Sequence, residues 1–348
     1  MDEAKLEEFM GAMVGHMVGA TTVASSILAN EIGLYEAANG AGALTADELA
    51  SRAGTNKRLT RELLDQQASV GFFAYDESAD SYALSDEAAL ALANRDSPVY
   101  LAGGMDVYKA MFEDLPATAE AFKGNRTLGW GEHSSCLYSG VKEFFRPAYL
   151  HHLVQEWIPA VDGMAERLAA GGSVVDIGCG EGFSTLQMAR AFPNTEFIGL
   201  DFHQPSIDVA AAAAATNEVA NARFEVGDAA ALDGSYDMIC FFDCLHDMGD
   251  PVGVAKAAKT KLNSGGAVLM VEPFALDTRV ENHQALGALM YGASAMLCTP
   301  CSLAQPVGRA MGAQSGEPGM KAVFDEASYG SFKRVAETPF NIIYEARA

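Results

Sequence analysis

Within the first 95 positions apolar residues recur at helical spacing, apart from one short stretch in which apolar and polar residues alternate. Thr45 precedes a predicted helix with Glu48 in its first turn, which is the pattern of a capping box. Residues 57–70 have a second amphipathic pattern. The residues expected on its buried side are Leu59, Leu63, Leu64 and Ala68. Residues 71–75 and 81–84 alternate around an acidic turn, so the order helix, helix, hairpin predicts a winged helix.

After residue 172 the pattern changes to apolar strands that alternate with helices. Strands are predicted at 173–177, 196–200, 222–226, 236–242, 267–272, 332–337 and 340–346, with a helix at 183–191. Pro339 separates the last two strands, which fit an antiparallel hairpin. We therefore predict an α/β chain with a Rossmann-like seven-stranded sheet, its last strand antiparallel, behind an α-helical winged-helix domain. The predicted domains are 1–95 (winged helix), 96–165 (a helical connector that contributes to a substrate pocket) and 166–348 (the Rossmann-like domain).

The charge of the chain limits its partners. The 348 residues include 46 acidic and 23 basic side chains, a net charge of −23. Because nucleic-acid binding needs Lys and Arg to neutralise phosphates, no nucleic-acid partner is expected. Residues 1–95 alone carry 15 acidic and 6 basic residues, which disfavours DNA binding by the winged helix. No apolar run reaches about 18 residues and the start lacks a basic leader, so we expect no membrane contact and a cytoplasmic protein.

A glycine-rich turn follows the first strand of the predicted sheet. Residues 174–182 read VVDIGCGEG, with the GxGxG pattern at Gly178, Gly180 and Gly182. Glycine lets the backbone approach a ligand closely. Asp201 ends the next strand, 19 residues beyond Gly182, where a carboxylate can accept both hydroxyl protons of a ribose. Asp228 follows the third strand, where it can meet an adenine amino group.

Two nucleoside cofactors compete for this motif. Dinucleotide enzymes use GxGxxG and place the pyrophosphate at a helix N-terminus. Here the spacing is GxGxG, and Asp176 and Glu181 would lie beside that pyrophosphate. S-adenosylmethionine (SAM) has no phosphate, and its cationic sulfonium and ammonium groups suit acidic surroundings. We therefore predict SAM as the cofactor and S-adenosylhomocysteine as its product.

These residues resemble the class I SAM-dependent methyltransferases. Residues 245–250, LHDMGD, are similar to the LHDWxD segment of the small-molecule O-methyltransferases, with Met248 in place of the usual Trp. The resemblance implies an N-terminal winged-helix dimerisation domain and hence a homodimer. It also implies that His246 is the general base and that Glu272 and Glu317 orient it. Motifs and resemblance together give as cofactor-binding residues Asp176, Gly178, Gly180, Gly182, Asp201, Phe202, Asp228, Ala229, Phe242 and Asp243.

Two chemistries fit a small-molecule acceptor. In O-methylation, His246 would remove a hydroxyl proton as the oxygen attacks the sulfonium methyl group. A thioether needs no base, so its methylation would depend on proximity and exclusion of water. Enzymes of this overall type methylate the sulfur of methylthiohydroxybutyrate in dimethylsulfoniopropionate synthesis. A non-catalytic, SAM-binding regulatory protein is a third hypothesis, although His246 together with Glu272 favours an enzyme.

The acceptor is expected in a closed pocket between the domains, under a helix at 287–297. A carboxylate on the acceptor would require a cation or a hydroxyl donor. The candidate substrate-binding residues are Trp130, Tyr138, Arg146, Tyr149, His152, Met290 and Tyr291.

No metal is predicted from the sequence. Cys298 and Cys301 have CxxC spacing, but tetrahedral zinc needs four ligands and there is no second CxxC. His246 and His283 could hold an iron ion with the substrate, but they lack an obvious third protein ligand. Six cysteines in a chain of this length do not indicate a disulfide framework.

Overall fold

The computed structural model describes residues 1–348, and the chain divides into two compact units. The first unit comprises Met1–Lys109 and Ser139–Pro147, and the second comprises Ala110–Tyr138 and Ala148–Ala348. Residues 96–165 thus contribute to both units. The helices are α1 (Glu3–Glu31), α2 (Leu34–Ala38), α3 (Ala46–Ala53), α4 (Lys57–Ser69), α5 (Asp86–Leu92), α6 (Asp106–Glu113), α7 (Leu115–Phe122), α8 (Cys136–Ala148), α9 (Met164–Ala170), α10 (Phe183–Ala191), α11 (Gln204–Thr216), α12 (Pro251–Lys261), α13 (Ala285–Ala293), α14 (Thr299–Leu303) and α15 (Gly316–Glu326).

The first unit contains the predicted winged helix. The Thr45 hydroxyl accepts the Glu48 N–H at 3.3 Å and the Glu48 carboxylate accepts the Thr45 N–H at 2.8 Å, so the capping box that starts α3 is present. Three short strands form an antiparallel sheet in the order β1-β3-β2. These strands are β1 (Leu44–Thr45), β2 (Ala74–Asp76) and β3 (Ser81–Ala83). The hairpin β2–β3 was predicted, whereas the two residues of β1 are too few to give a strand pattern.

The predicted buried side of α4 is wrong at one residue. Leu59 is 72% exposed, whereas Thr60, Leu64 and Gln67 are buried. The two polar residues are hydrogen-bonded: Thr60 Oγ1 lies 2.6 Å from Thr55 Oγ1, and the Gln67 amide donates to Ser25 Oγ at 3.0 Å. Burying a polar group costs little free energy when the group is hydrogen-bonded, so the buried face of a helix can differ from its apolar pattern.

Most apolar side chains of α1 are exposed. Only Ser26 and Ala29 are buried, while Phe9 and Met17 are 62% and 65% exposed. By length and composition, α1 and the segment Ala285–Leu303 are apolar enough to cross a membrane, a test that core helices also pass. The segment Ala285–Leu303 is partly buried within the second unit, as a core helix is.

The second unit is built around a seven-stranded sheet. Its strands are β4 (Ser173–Ile177), β5 (Glu196–Asp201), β6 (Ala222–Val226), β7 (Tyr236–Phe242), β8 (Leu262–Pro273), β9 (Ser331–Glu337) and β10 (Asn341–Arg347). Their order is β6-β5-β4-β7-β8-β10-β9, and β10 runs antiparallel to both of its neighbours. The predicted fold is confirmed. Strand β8 begins before the predicted 267, because Leu262 already pairs with Tyr236; extra residues on β8 then shift the register before Ala267 pairs with Met238.

The parallel strands β4 to β8 bring their carboxyl ends to one edge of the sheet. The strand interiors are apolar: Val175, Ile239 and Val268 are completely buried. The backbone groups of the loops after these strands are not used in strand pairing and are available to a ligand. Ligands of open α/β sheets bind at such an edge. The motifs after β4, β5, β6 and β7 therefore lie at a common edge.

Candidate active site

The turn after β4 is built from glycines in left-handed conformations. Gly178, Gly180 and Gly182 have φ angles of 73°, 53° and 78°. A Cβ atom on Gly182 would lie 2.6 Å from the Phe224 ring and 2.7 Å from Ala210 Cβ. A Cβ atom on Gly180 would meet nothing within 4 Å. Gly182 is therefore required for packing, whereas Gly180 presents backbone to open space.

Asp201 is oriented by this turn. One carboxylate oxygen accepts the Gly180 N–H at 2.9 Å and the other accepts the His203 N–H at 2.9 Å. Burial raises the pKa of the carboxyl, while the backbone donors at His203 and Gly180 oppose that shift. Each oxygen keeps a lone pair for a further donor, so the carboxylate can accept two vicinal hydroxyl groups.

Asp176 lies inside the protein rather than on the rim of the turn. Its side chain is fully buried and accepts hydrogen bonds from Ser184 Oγ at 2.7 Å and Thr185 Oγ1 at 2.6 Å. Burial raises the pKa of Asp176 to about 6, against these two hydrogen bonds. Both hydroxyls reach the same oxygen, Oδ2, and Oδ1 is buried without a hydrogen-bond partner. This carboxylate anchors the start of α10 to the end of β4.

The residues expected near an adenine are exposed. Phe202 is 56% exposed directly after Asp201. Asp228 is exposed and caps the short helical turn Ala229–Ala231 by accepting the Ala230 N–H at 2.9 Å. The cap fixes one oxygen of Asp228 and leaves the other for a donor.

His246 is held between two carboxylates after β7. It is 1% exposed, in the helical turn Leu245–Asp247. Its Nδ1 lies 2.5 Å from Glu272 Oε2, and Glu272 is itself 2% exposed near the end of β8. Its Nε2 lies 3.1 Å from Asp247 Oδ1, an ion-pair distance, although that oxygen makes no aligned hydrogen bond. Both ring nitrogens therefore face acidic side chains.

This environment changes the chemistry available to the imidazole. Burial by itself would lower the pKa of His246, but the Asp247 and Glu272 carboxylates raise it well above its ordinary value. The carboxylates on both sides of the ring therefore favour its protonated form. A general base needs a free lone pair directed at the proton that it removes.

Phe242 and Asp243 complete this end of the sheet. Phe242 is buried, and its ring centroid lies 5.7 Å from that of Tyr149. Asp243 adopts a φ of 56°, unusual for a residue other than glycine, and its N–H donates to Val271 O at 2.7 Å. Burial raises the pKa of Asp243 to about 8, and Oδ1 has no hydrogen-bond partner. A cationic donor such as an ammonium group would satisfy that oxygen.

Two of the residues chosen from the sequence form ion pairs. Glu317, expected to orient His246, instead forms an ion pair with Arg334 at 2.8 Å. Arg146 belongs to the first unit, where its guanidinium pairs with Asp96. In each case the partner is an oppositely charged side chain distant in sequence, and the roles of both residues in the site stay predictions.

An aromatic cluster lies beside Asp201. The ring of Tyr138 is 4.3 Å from that of His203 and 5.9 Å from that of Trp130. The Tyr138 hydroxyl donates to Trp130 O at 3.0 Å. Because His203 donates its N–H to Asp201, Trp130 and Tyr138 are near the proposed ribose site.

A second buried histidine–carboxylate pair was not predicted. His133 Nδ1 lies 2.8 Å from Asp114 Oδ2, and Nε2 is buried without a partner. Asp114 also accepts the backbone N–H and the hydroxyl of Ser134. The two residues are 19 positions apart in segments without regular spacing, so no local pattern connects them.

The other substrate candidates have varied environments. Tyr149 is 7% exposed, and Met290 is 8% exposed on α13. Tyr291 is partly buried, with its ring 6.4 Å from that of the exposed His283. His152 Nδ1 lies 2.9 Å from the Glu156 carboxylate. The roles of these residues in substrate binding stay predictions.

Two regions of the chain match known domain families. Residues 168–318 match a family model described as a methyltransferase domain. Residues 19–94 match one described as an Rv2258c-like winged helix-turn-helix domain.

Individual relatives and solved structures extend this comparison. A ubiquinone biosynthesis O-methyltransferase of Acinetobacter baylyi is 28% identical over 159 residues, covering 44% of this chain and only 60% of that protein. The structure of human N-acetylserotonin methyltransferase in complex with SAM superposes with a TM-score of 0.72 at 15% identity, covering 100% of this chain and 98% of that one. The structure of a mitomycin 7-O-methyltransferase gives 0.68 at 20% identity, covering 100% of both chains. At these identities the solved structures show a common fold.

Proposed function

We propose that this chain, which contains a class I SAM methyltransferase domain and an N-terminal winged helix-turn-helix domain, methylates a small-molecule acceptor with an oxygen or sulfur nucleophile. The observation that carries the proposal is the orientation of Asp201 by Gly180 and His203, at the carboxyl edge of the sheet. This carboxylate would hold the two ribose hydroxyls of SAM. The turn at Gly178–Gly182 would admit the rest of the cofactor without side-chain interference.

The methionine end of SAM would then lie near β7. Asp243 offers an unpartnered oxygen to the ammonium group, and Phe242 contributes an apolar wall. Holding the sulfonium methyl group in line with the acceptor would supply most of the rate enhancement, because proximity alone can be worth about 7–11 kcal/mol.

A thioether carboxylate, such as methylthiohydroxybutyrate, is a second candidate acceptor. It is favoured by the contacts of His246, whose two ring nitrogens both face carboxylates. A thioether sulfur attacks with a free lone pair and needs no base. Its carboxylate would need a donor, for which Tyr138 and Tyr149 are candidates.

The proposal is tested by incubating the purified protein with SAM labelled in the methyl group and with extracts of small metabolites. Label is expected in a low-molecular-weight product, and a panel of hydroxy acids, thiols and thioether acids then identifies the nucleophile. Binding of SAM without transfer to any acceptor would instead indicate a regulatory protein. Transfer of label to DNA or RNA would contradict the small-molecule assignment.

Substituting alanine for Gly180 or for Gly182 should separate effects on cofactor binding from effects on folding. Gly182→Ala places a Cβ 2.6 Å from the Phe224 ring, so we expect destabilisation of about 2–4 kcal/mol from overpacking and left-handed strain. Gly180→Ala meets no protein atom within 4 Å and should cost only about 1 kcal/mol of strain. Calorimetry should nevertheless show at least tenfold weaker SAM binding by Gly180→Ala. Unchanged affinity in that variant would place the cofactor elsewhere.

We also infer a homodimer formed through the first unit. The exposed apolar side chains of α1 form a face that a second copy of the chain would cover. Light scattering should give twice the chain mass, and a species of 36.7 kDa would contradict the inference.

A cytoplasmic location is inferred from cysteine usage. None of the six cysteines forms a disulfide bond, as expected in a reducing compartment. Fractionation that places the protein in the membrane pellet would contradict this location.

A further inference from the structure

Three potential metal ligands converge beside His246. The ligand atoms of His246, Asp247 and Cys298 all lie within 4.8 Å of one another. His246 and Cys298 are buried, and Asp247 is partly buried. We propose that these three side chains bind one divalent transition-metal ion of the zinc type, with a fourth position open to the methyl acceptor.

The distance between two of the ligand atoms agrees with such a site. Two ligands of a tetrahedral zinc ion, each about 2.0–2.1 Å from the metal, are about 3.3 Å apart. His246 Nε2 and Asp247 Oδ1 are 3.1 Å apart. Asp247 Oδ1 has no hydrogen-bond partner, so the contact does not have the geometry of an ordinary hydrogen bond. An ion close to both atoms would satisfy the oxygen and use the imidazole lone pair.

The second ring nitrogen of His246 supports the same conclusion. Histidines that bind metals usually donate their other N–H to a carboxylate, which fixes the tautomer. Nδ1 of His246 lies 2.5 Å from Glu272 Oε2, and both side chains are almost fully buried. Glu272 would therefore be the positioning residue that directs Nε2 toward the metal.

The balance of charge also favours a cation. Asp243, Asp247 and Glu272 surround a single imidazole, and each of the three has one buried oxygen without a hydrogen-bond partner. A dication held by a carboxylate and a thiolate would compensate this excess of acidic groups. Imidazole, carboxylate and thiolate together form a ligand set suited to zinc.

The CxxC motif contributes one ligand to this site. Cys301 Sγ accepts a hydrogen bond from the Gln305 amide at 3.5 Å, and it is not among the three converging groups. A site with three protein ligands and one open position is the arrangement of catalytic zinc. The CxxC motif by itself supplies only two zinc ligands, whereas the fold brings His246 and Asp247 to Cys298.

The role of the ion rests on the proposed function. An acceptor hydroxyl or thiol bound at the open position would lose its proton to water, because a metal lowers the pKa of a bound group. Its lone pair would attack the methyl carbon of SAM as the carbon–sulfur bond breaks. The bonding electrons would pass to the sulfonium sulfur and give neutral S-adenosylhomocysteine. No free base at His246 is required.

The test measures zinc in the full-length protein. Protein is stripped with a chelator, loaded with Zn²⁺ or Co²⁺ and desalted, and its metal content is measured by mass spectrometry. We expect about one equivalent of zinc in the parent protein and a thiolate-to-cobalt absorption band in the cobalt form. Cys298→Ser and Asp247→Asn should each lose at least tenfold in zinc affinity, and Cys298→Ser should also lose the band.

Matched variants and SAM binding provide the controls. Cys136→Ser changes a cysteine outside the cluster and Cys301→Ser removes the other CxxC thiol, and both should retain zinc. Calorimetry with SAM on the same preparations verifies folding. SAM binding without zinc in the parent protein, or zinc retained by Cys298→Ser, would overturn the metal site alone. Failure of the parent protein to bind SAM would overturn the proposed function, whatever its zinc content.

Discussion

Asp201→Ala is expected to weaken SAM binding by at least about 100-fold. A hydrogen bond to a charged group contributes about 1.5–3 kcal/mol, and this carboxylate is positioned to accept two from the ribose. The measurement is a calorimetric titration with SAM and with S-adenosylhomocysteine. Since both ligands contain the same ribose, their affinities should fall by similar factors.

Two further variants distinguish lost contact from lost structure. Asp201 also accepts the N–H groups of Gly180 and His203, so its removal can disturb the turn. Asp201→Asn keeps one acceptor oxygen and should lose less affinity than the alanine variant. Asp208→Ala removes an exposed carboxylate of α11 that binds Gln204, and it should bind SAM like the parent. If Asp201→Ala folds and binds SAM with parental affinity, the assignment of the cofactor site fails.

The cofactor half of the site was predictable because its determinants are local. Strand β4, the turn at Gly178–Gly182 and α10 are contiguous, and Asp201 ends the next strand. Because a helix connects these two strands, they run parallel and their carboxyl ends meet at one edge. Strand boundaries agree within one residue except at the start of β8, where a bulge extends the pairing.

The reactive half was less predictable because its contacts join distant segments. His246 and Glu272 were paired through the resemblance, but nothing in the sequence indicated that Cys298 would lie beside them. Glu317 was assigned through the resemblance, yet it forms an ion pair with Arg334 on β9. The pair His133 and Asp114 joins two irregular segments. Such contacts depend on tertiary packing, which amphipathic periodicity does not encode.

The contacts of both His246 ring nitrogens with carboxylates also change how a substitution of His246 should be interpreted. Loss of activity in a His246 variant is commonly taken as evidence for a catalytic base. Here the imidazole separates two carboxylates at the end of the sheet. Its removal would therefore disturb electrostatics and folding whether or not it ever accepts a proton. Stability measurements on metal-free protein isolate this structural contribution.

His246→Leu is expected to lower the free energy of unfolding by about 3–5 kcal/mol in the presence of a chelator, because it leaves Glu272 buried without its partner. Adding Glu272→Leu should restore much of this loss, since apolar residues of similar volume can replace a buried ion pair at little cost. Urea denaturation of the parent, the two single variants and the double variant gives the coupling energy, expected at about 2 kcal/mol or more.

The exposed His283→Leu serves as the control and should change stability by less than about 0.5 kcal/mol. If the two single losses simply add in the double variant, His246 and Glu272 do not form a coupled ion pair. A neutral His246, free to act as a base, would then become the better interpretation of this site.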